Sequence, residues 1–435
     1  MFSRGIAAVI LTADPFHFAA ALWWACAIGC LLASTLASLC FPWPRRRNDE
    51  PATLLPVSAI VPIKDLETGF VAAQSSLFEQ TYENLEVLVA SSERDTPALD
   101  TVRGILAAHP HVPSRIVQSA VERAASPKLN NLWQPVGQAQ SDVILTKDSN
   151  IVLSPGDVDC FVRHLRPGVG VVSAITITAE PHSLAAWVET SIVNAFHARY
   201  LMLARAVGLG VGCGKIMVFR RSDIDRAGGL ECLAWALGED AAMSDALAKQ
   251  GLRTVLADRV IRQPLGRRSW TQIWNRQLRW HLIWRKQTPA VFAAALLGSA
   301  LLAALAGAFA APGFGLAPVS VAAATLGLWF CVETALCLSK SWPVSLWSPV
   351  AFLGREVLDI AVWIRALTTS EVGWAGAVCH AGTSLRENAS RDRASPDAHR
   401  VKRSAAREGI CGSAGVEPAA PHAGLEARGP GGCRP

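Results

Sequence analysis

From Phe16 to Phe41 the chain is almost uninterruptedly apolar. At about 1.5 Å per residue this predicts one helix able to cross a hydrocarbon core of about 30 Å. The pattern then changes. Short apolar runs at Val57–Val61, Leu85–Ala90, Arg115–Val117, Val143–Leu145 and Val171–Ser173, with Ile216–Phe219 further on, predict strands. Between them, Val71–Gln80, Pro97–His109, Leu129–Ala139 and Pro155–Leu165 alternate polar and apolar positions as helices do. The alternation predicts an α/β domain with a mostly parallel sheet, in which ligands collect beyond the carboxyl ends of the strands.

Apolar character returns at Pro289–Ala311 and Leu316–Leu338, separated by Pro312-Gly313-Phe314-Gly315, which predicts a membrane hairpin. A further stretch, Trp342–Leu367, is apolar but contains Arg355, Glu356 and Asp359. Such charges are costly at the bilayer centre unless paired, so this stretch is expected to be re-entrant or interfacial. Beyond Glu371 the chain has few large apolar residues and no period, and is expected to be disordered. The expected division is an anchor at 1–44, a catalytic domain at 54–286, a hairpin with an interfacial segment at 287–370, and a tail at 371–435.

Composition sharpens this picture. With 51% hydrophobic and 17% charged residues in 435, a wholly soluble globule is excluded. The acidic and turn residues between Val57 and Lys286 equally exclude a wholly embedded chain. Net charge is +6, and the basic residues concentrate beside apolar segments, which favours an anionic lipid surface and gives no expectation of a nucleic-acid partner. Pro44-Arg45-Arg46-Arg47 after the first apolar run puts the chain beyond it in the cytoplasm. A cleaved leader fits poorly, because the amino terminus has only Arg4 and the apolar run is too long. None of the eleven cysteines forms a Cys-x-x-Cys pair, so reduced thiols and no zinc site are expected.

Two strand ends carry carboxylates, in Ser91-Ser92-Glu93-Arg94-Asp95-Thr96-Pro97 and in Thr146-Lys147-Asp148-Ser149-Asn150. Helix capping explains either one alone. Further on, Gly238-Glu239-Asp240 opens a helix and Arg276-Gln277-Leu278-Arg279-Trp280 precedes the hairpin. Ordered carboxylates followed by Arg-x-x-Arg-Trp at a membrane border exceed what capping explains.

The region Val57–Trp280 resembles the family 2-like inverting glycosyltransferases and most closely the bacterial type of ceramide glucosyltransferase, family 21. The segments that carry the resemblance are Pro127-Lys128-Leu129-Asn130-Asn131-Leu132, Lys147-Asp148-Ser149-Asn150-Ile151, Phe219-Arg220-Arg221-Ser222-Asp223 with Gly228-Gly229-Leu230, Glu239-Asp240 and Arg276–Trp280, spread over about half the chain. The resemblance implies a GT-A-type nucleotide-sugar fold, inversion with a β-linked product, and transfer of glucose from UDP-glucose to ceramide at a bacterial inner membrane.

Chemistry distributes the roles. Sugar transfer builds positive character at the anomeric carbon and negative charge on the departing diphosphate. A divalent cation, Mg2+ or Mn2+, held by Asp148 with Ser149 or Asn150 assisting would neutralise that charge, and Arg276 and Arg279 offer forked donors to the diphosphate, with Trp280 beside them. Asp240 fits the base that takes the acceptor proton. Lys64, Glu93 and Asp95 at the first two strand ends are candidates for uridine, although the eukaryotic members look like Asp-x-Asp-Asp where this chain has Glu93-Arg94-Asp95-Thr96. Lys128, Asn130 and Asn131 are candidates for orienting the donor. The resemblance places His197 near the acceptor, and Glu239 is a further acceptor candidate.

Gly208-Leu209-Gly210-Val211-Gly212-Cys213-Gly214-Lys215 fails the phosphate-loop spacing and is read as a loop that lets backbone approach substrate. Trp270–Lys286 mixes tryptophan and basic residues as interfacial helices do, and a lipid acceptor fits such a border. Two alternatives keep the fold: a hopanoid-associated glycosyltransferase using a donor such as UDP-N-acetylglucosamine, and a non-catalytic membrane scaffold.

Overall fold

The computed structural model describes residues 14–42, 55–374 and 377–380. Its first helix, α1 (Pro15–Cys40), begins where Asp14 accepts from the Phe16 N–H and Pro15 takes the first helical position. After it come β1 (Val57–Pro62), α2 (Phe70–Phe78), β2 (Leu85–Ser91), α3 (Pro97–Ala108), β3 (Ser114–Gln118), α4 (Pro127–Gln138), β4 (Val143–Lys147) and α5 (Asp157–His164). The basic run at Arg45–Arg47 lies outside the described residues.

Strands β1, β2 and β4 are continuous runs of buried residues, the pattern of strands covered on both faces. Alternate positions divide between two cores. Ala59, Val61, Val87, Val89 and Leu145 face one side, while Ile60, Leu88 and Ile144 face the other with α4.

The second half of the domain adds β5 (Val169–Pro181), α6 (Leu184–Thr190), a π-helical turn at Ser191–Ala198, α7 (Arg199–Ala206), β6 (Ile216–Arg220), α8 (Arg221–Arg226), α9 (Glu239–Ala248), β7 (Arg253–Gly266) and α10 (Trp270–Gln287). The seven-stranded sheet has the order β3-β2-β1-β4-β6-β5-β7, and β6 runs antiparallel to both of its neighbours. The sheet is therefore mostly parallel, as expected. Strand order reverses between β1 and β4, which places a crevice beyond Pro62 and Lys147.

Strand β7 was not legible from hydropathy. Among the named strands it pairs with β5, at the sheet margin, and Arg262 makes one further bridge to Val152; Arg253, Asp258, Arg259 and Arg262 interrupt its apolar residues and Pro264 is tolerated.

The apolar segments depart from a simple hairpin. The first run divides into α11 (Pro289–Ala294), a short 3-10 turn and α12 (Ala300–Ala310), bent by 65° at Ser299. Ser299 has extended backbone and caps α12 by accepting from the Leu302 N–H, so the break is a helix stop followed by a fresh start. The second run is α13 (Pro318–Ser339). Ala27 and Leu31 of α1 pack with Ala300, Ala303 and Trp329, joining the amino-terminal helix to α12 and α13. Among the described residues, α1 and α13 are long and apolar enough to cross a membrane, with the bent pair as a third if it counts as one span.

The fourth apolar stretch forms α14 (Ser348–Thr368). Arg355 and Glu356 are buried and paired. Arg355 lies 3.0 Å from Glu333 of α13 and 2.6 Å from Glu356, and Glu333 also faces Arg199 of α7 at 3.3 Å. This pairing is what lets charged groups sit in an otherwise apolar stretch.

Disorder was expected from residue 371. Instead β8 (Glu371–Trp374) and β9 (Ala377–His380) form an antiparallel pair, and Val372 packs against α10 through Leu278 and Leu282. The tail beyond residue 380 lies outside the described residues.

Candidate active site

Asp148 follows β4, and its N–H is held by the Lys215 carbonyl at 3.0 Å. Its two carboxylate oxygens face two ammonium groups, Lys128 Nζ at 2.8 Å and Lys215 Nζ at 3.1 Å. Burial works to raise the Asp148 carboxyl, but Lys128 and Lys215 outweigh it and hold it well below the usual carboxylate range. Behind it, the fully buried Lys147 donates to the carbonyls of Asp148 at 3.1 Å and Ile151 at 2.7 Å and so fixes the turn. Burial brings the Lys147 ammonium down to about 7, against the pull of Asp148.

Lys128 stands in the first turn of α4, which Ser126 caps. The same ammonium reaches Glu239 Oε1 at 3.0 Å and donates to the Gly214 carbonyl. Lys128 thus ties the end of β4 to the start of α9. The Glu239 carboxylate is buried against Lys128 and Ser126, with Ser126 Oγ at 3.3 Å.

Asp240 turns the other way. The Gly214 N–H donates to its Oδ2 at 2.7 Å and the Ala241 N–H to its Oδ1 at 2.8 Å. Burial, then the neighbouring Glu239 charge, pushes the carboxyl up to about 6, a value suited to a general base near neutrality.

The glycine-rich loop holds this arrangement. A Cβ on Gly210 would lie 1.7 Å from the Thr254 carbonyl oxygen, and one on Gly212 would lie 2.6 Å from the Asp240 carbonyl oxygen. Side-chain-free backbone therefore passes between β7 and α9 and delivers Lys215 to Asp148.

From the opposite wall, α10 presents its arginines. Arg276 Nη1 bonds Glu189 of α6 at 2.5 Å, so part of its charge is already met. Burial, then the like charge of Arg276, lowers Arg279 to about 10, while Glu239 and Asp148 pull the other way. Lys128 and Gly214 thus link Asp148 to Asp240, and Arg279 feels the charges of Asp148 and Glu239.

The oxygen donors here that a divalent cation would use are Asp148, whose two oxygens already face Lys128 and Lys215, and Asn150. Asn150 is buried, its amide donates to Glu67, and its Oδ1 has no hydrogen-bond partner. Asp148 and Asn150 would supply hard oxygen ligands, with diphosphate and water completing the shell. The cation would share Asp148 with the two lysines. Among the described residues no group of three or more His, Cys, Asp or Glu could hold a metal unaided.

The sequence model described as Glycosyl transferase family 21 matches residues 21–385. The chain belongs to glycosyl transferase family 21. It is similar to Ceramide glucosyltransferase 1 of Caenorhabditis elegans, 24% identical over 53% of this chain and 50% of that one. Ceramide glucosyltransferase 3 of the same organism is 22% identical over 76% of this chain and 74% of its own length. The ceramide glucosyltransferase of Komagataella phaffii is 24% identical over 54% and 58% respectively. The chain thus spans about half the length of the first of these relatives. Among solved structures, the mannosyltransferase PcManGT from Pyrobaculum calidifontis, in complex with GDP-Man and Mn2+, has a TM-score of 0.51 at 17% identity, over 81% of this chain and 99% of that one. That likeness is one of fold, and it accords with the GT-A-type architecture.

The remaining candidates of this family 21 chain are spread around the cluster. Lys64 is exposed after β1. Glu93 and Asp95 are exposed after β2, separated from β4 by β1, and Asp95 stands 3.6 Å from Arg103. Asn130 is engaged by backbone: its Oδ1 accepts from the Arg123 and Ala124 N–H groups at 2.9 and 2.7 Å, and its amide donates to the Ala124 carbonyl at 3.0 Å. This makes it a clasp for the loop before α4, whereas Asn131 is half-buried on the helix. His197, in the π-helical turn, packs against Trp280 and Trp284 with ring centroids 4.9 and 5.3 Å away. Burial, then the neighbouring His281, lowers its imidazole to about 3, so it is neutral.

Lys215, Lys147 and Glu189 were absent from the sequence-derived candidates. Lys215 carried a signal, a lysine ending a glycine-rich loop directly before a strand, but only the fold shows which carboxylate it meets.

Proposed function

We propose that this chain transfers glucose from UDP-glucose to the primary hydroxyl of ceramide, at the cytoplasmic face of a bacterial inner membrane, with inversion. The observation that carries the reading is the bridge made by Lys128, which joins Asp148 at 2.8 Å and Glu239 at 3.0 Å and so ties a diphosphate-facing carboxylate to the helix that carries the base. The names of the family 21 relatives and the tryptophan-rich α10 at the edge of the apolar helices support a lipid acceptor. The basic run Arg45–Arg47 supports the cytoplasmic side.

In this reading the donor lies beyond β1 and β4, with its diphosphate toward Lys128, Lys215 and Arg279. Asp240 takes the proton as the acceptor O–H bond breaks, and the acceptor oxygen forms its bond to the anomeric carbon. The bond from that carbon to the diphosphate breaks, and its electron pair leaves with UDP. Lys128, Lys215 and Arg279 stabilise the charge that develops on the leaving group. A divalent cation held by Asp148 and Asn150 would supply further neutralisation of the diphosphate.

The test is incubation of membranes holding the full chain with labelled UDP-sugars and a panel of lipid acceptors, with and without chelator. Glucosylceramide formed from UDP-glucose, reduced by chelator and restored by Mg2+ or Mn2+, is expected. Labelling of a hopanoid with ceramide untouched would overturn the acceptor assignment, and no labelled lipid from any donor would overturn transfer itself.

A further inference from the structure

Between α10, α14, the π-helical turn and the break at Ser299 lies a small cavity of about 20 Å³, room for one water-sized group. Among the residues that line it are His197, His281, Ser299, Glu356 and Asp359. Their hydrogen bonds leave an imbalance. Glu356 is fully engaged, accepting from Arg355 at 3.0 and 2.6 Å, from Ser299 Oγ at 2.7 Å and from the Leu301 N–H at 3.2 Å. Ser299 has thereby committed its proton. His281 Nδ1 lies 2.9 Å from the Gln277 carbonyl, which assigns the proton to Nδ1 and leaves Nε2 an acceptor. Asp359 Oδ1 is buried and has no partner.

The cavity therefore holds one unmet acceptor, Asp359 Oδ1, together with the single N–H of the neutral His197 ring. Leaving a buried acceptor unmet is costly, and an O–H group is the smallest chemistry that repairs it. An anionic headgroup would be repelled by the same carboxylates. His197, which lines the cavity, also packs on Trp280 with ring centroids 4.9 Å apart, and Trp280 follows Arg279 in the chain.

We propose that this cavity reads the secondary hydroxyl of the lipid acceptor, as distinct from the primary hydroxyl that reacts. The proposal rests on the functional reading above and adds the part of the acceptor that is recognised. Asp359 accepts the hydroxyl proton, and lipids that lack this hydroxyl leave Asp359 unmet.

The experiment uses the full chain in lipid nanodiscs with UDP-glucose, comparing ceramide with 3-deoxyceramide. Wild type is expected to favour ceramide by about 10-fold or more in kcat/KM, the scale at which a site built for a hydroxyl rejects its absence. In Asp359→Leu that preference falls to near unity while UDP binding, which reports an intact donor site, is unchanged. If Asp359→Leu loses UDP binding, the isosteric Asp359→Asn is read in its place, with a reduced preference expected. A wild type that uses both lipids alike overturns the proposal without any variant. Ceramide glucosylated with undiminished preference in the Asp359 variants overturns it while the functional reading stands. Wild type that leaves ceramide untouched overturns both.

Discussion

Lys128 Nζ lies 2.8 Å from Asp148 Oδ1, in a site where the same ammonium also meets Glu239 at 3.0 Å. Both carboxylates raise the Lys128 pKa well above its ordinary value, although burial alone would lower it. The lysine therefore stays charged at neutral pH, a fixed cation between Asp148 and Glu239.

Lys128→Met removes that cation and leaves two buried carboxylates facing each other. Transfer should fall by about 100-fold to 1,000-fold, the range seen when one electrostatic stabiliser is lost. Lys128→Arg should recover part of the rate. Steady-state transfer measured beside UDP binding checks this, and a Met variant within a few-fold of wild type would remove Lys128 from the reaction.

With Asp240 as the proposed base, a pH profile follows. The Asp240 carboxyl is raised to about 6, and only the deprotonated form accepts a proton, so kcat should fall below about pH 6 and level off above it. Asp240→Asn should cost about 100-fold to 10,000-fold in rate with donor binding largely kept. The sign for stability is opposite to that of an ordinary salt-bridged aspartate. Because the folded value lies above the unfolded one, the native state binds more protons, and this residue's contribution weakens as pH rises from about 4 to about 6. An acid limb at pH 4 would show that another group limits the rate.

Gly214 separates catalysis from folding. A Cβ there would lie 3.1 Å from Asp240 Oδ2 and 3.2 Å from Glu239 Oε1, both of them side-chain atoms, and the residue is not among those with positive φ. Gly214→Ala should displace Asp240, slowing transfer by about 10-fold or more with little change in melting temperature. Gly210→Ala, whose Cβ would meet the Thr254 carbonyl oxygen at 1.7 Å, should instead destabilise the fold. Thermal unfolding and initial rates measured on both variants distinguish the two effects.

These residues also show what the sequence could express. Asp148, Asp240 and Arg279 were legible because each sits at a local landmark: a strand end, a helix start and a basic interfacial helix. The ammoniums that organise them were harder to read, since Lys215 reaches Asp148 only through a loop whose course depends on close contact between Gly210 and Thr254. That contact involves β7, whose charged marginal sequence conceals it. Asn130 shows the converse: an amide in a suggestive motif is spent on holding its own loop. In the apolar half, hydropathy located the segments correctly but registered neither the stop at Ser299 nor the partner of Arg355, because both depend on a carboxylate from another helix.

The pairing of Arg355 with Glu333 leads to the last prediction. Both side chains are almost fully buried, 3.0 Å apart, and they join α13 to α14 while Arg199 brings in the catalytic domain. Removing one member strands the other without solvent. Glu333→Leu or Arg355→Leu should each destabilise the protein by about 3 to 5 kcal/mol. The double variant Glu333→Leu with Arg355→Leu should recover part of that loss, although Glu356 and Arg199 then lose a neighbour. Thermal unfolding in detergent gives the cycle. Additive losses in the double variant would mean that the two charges do not depend on each other.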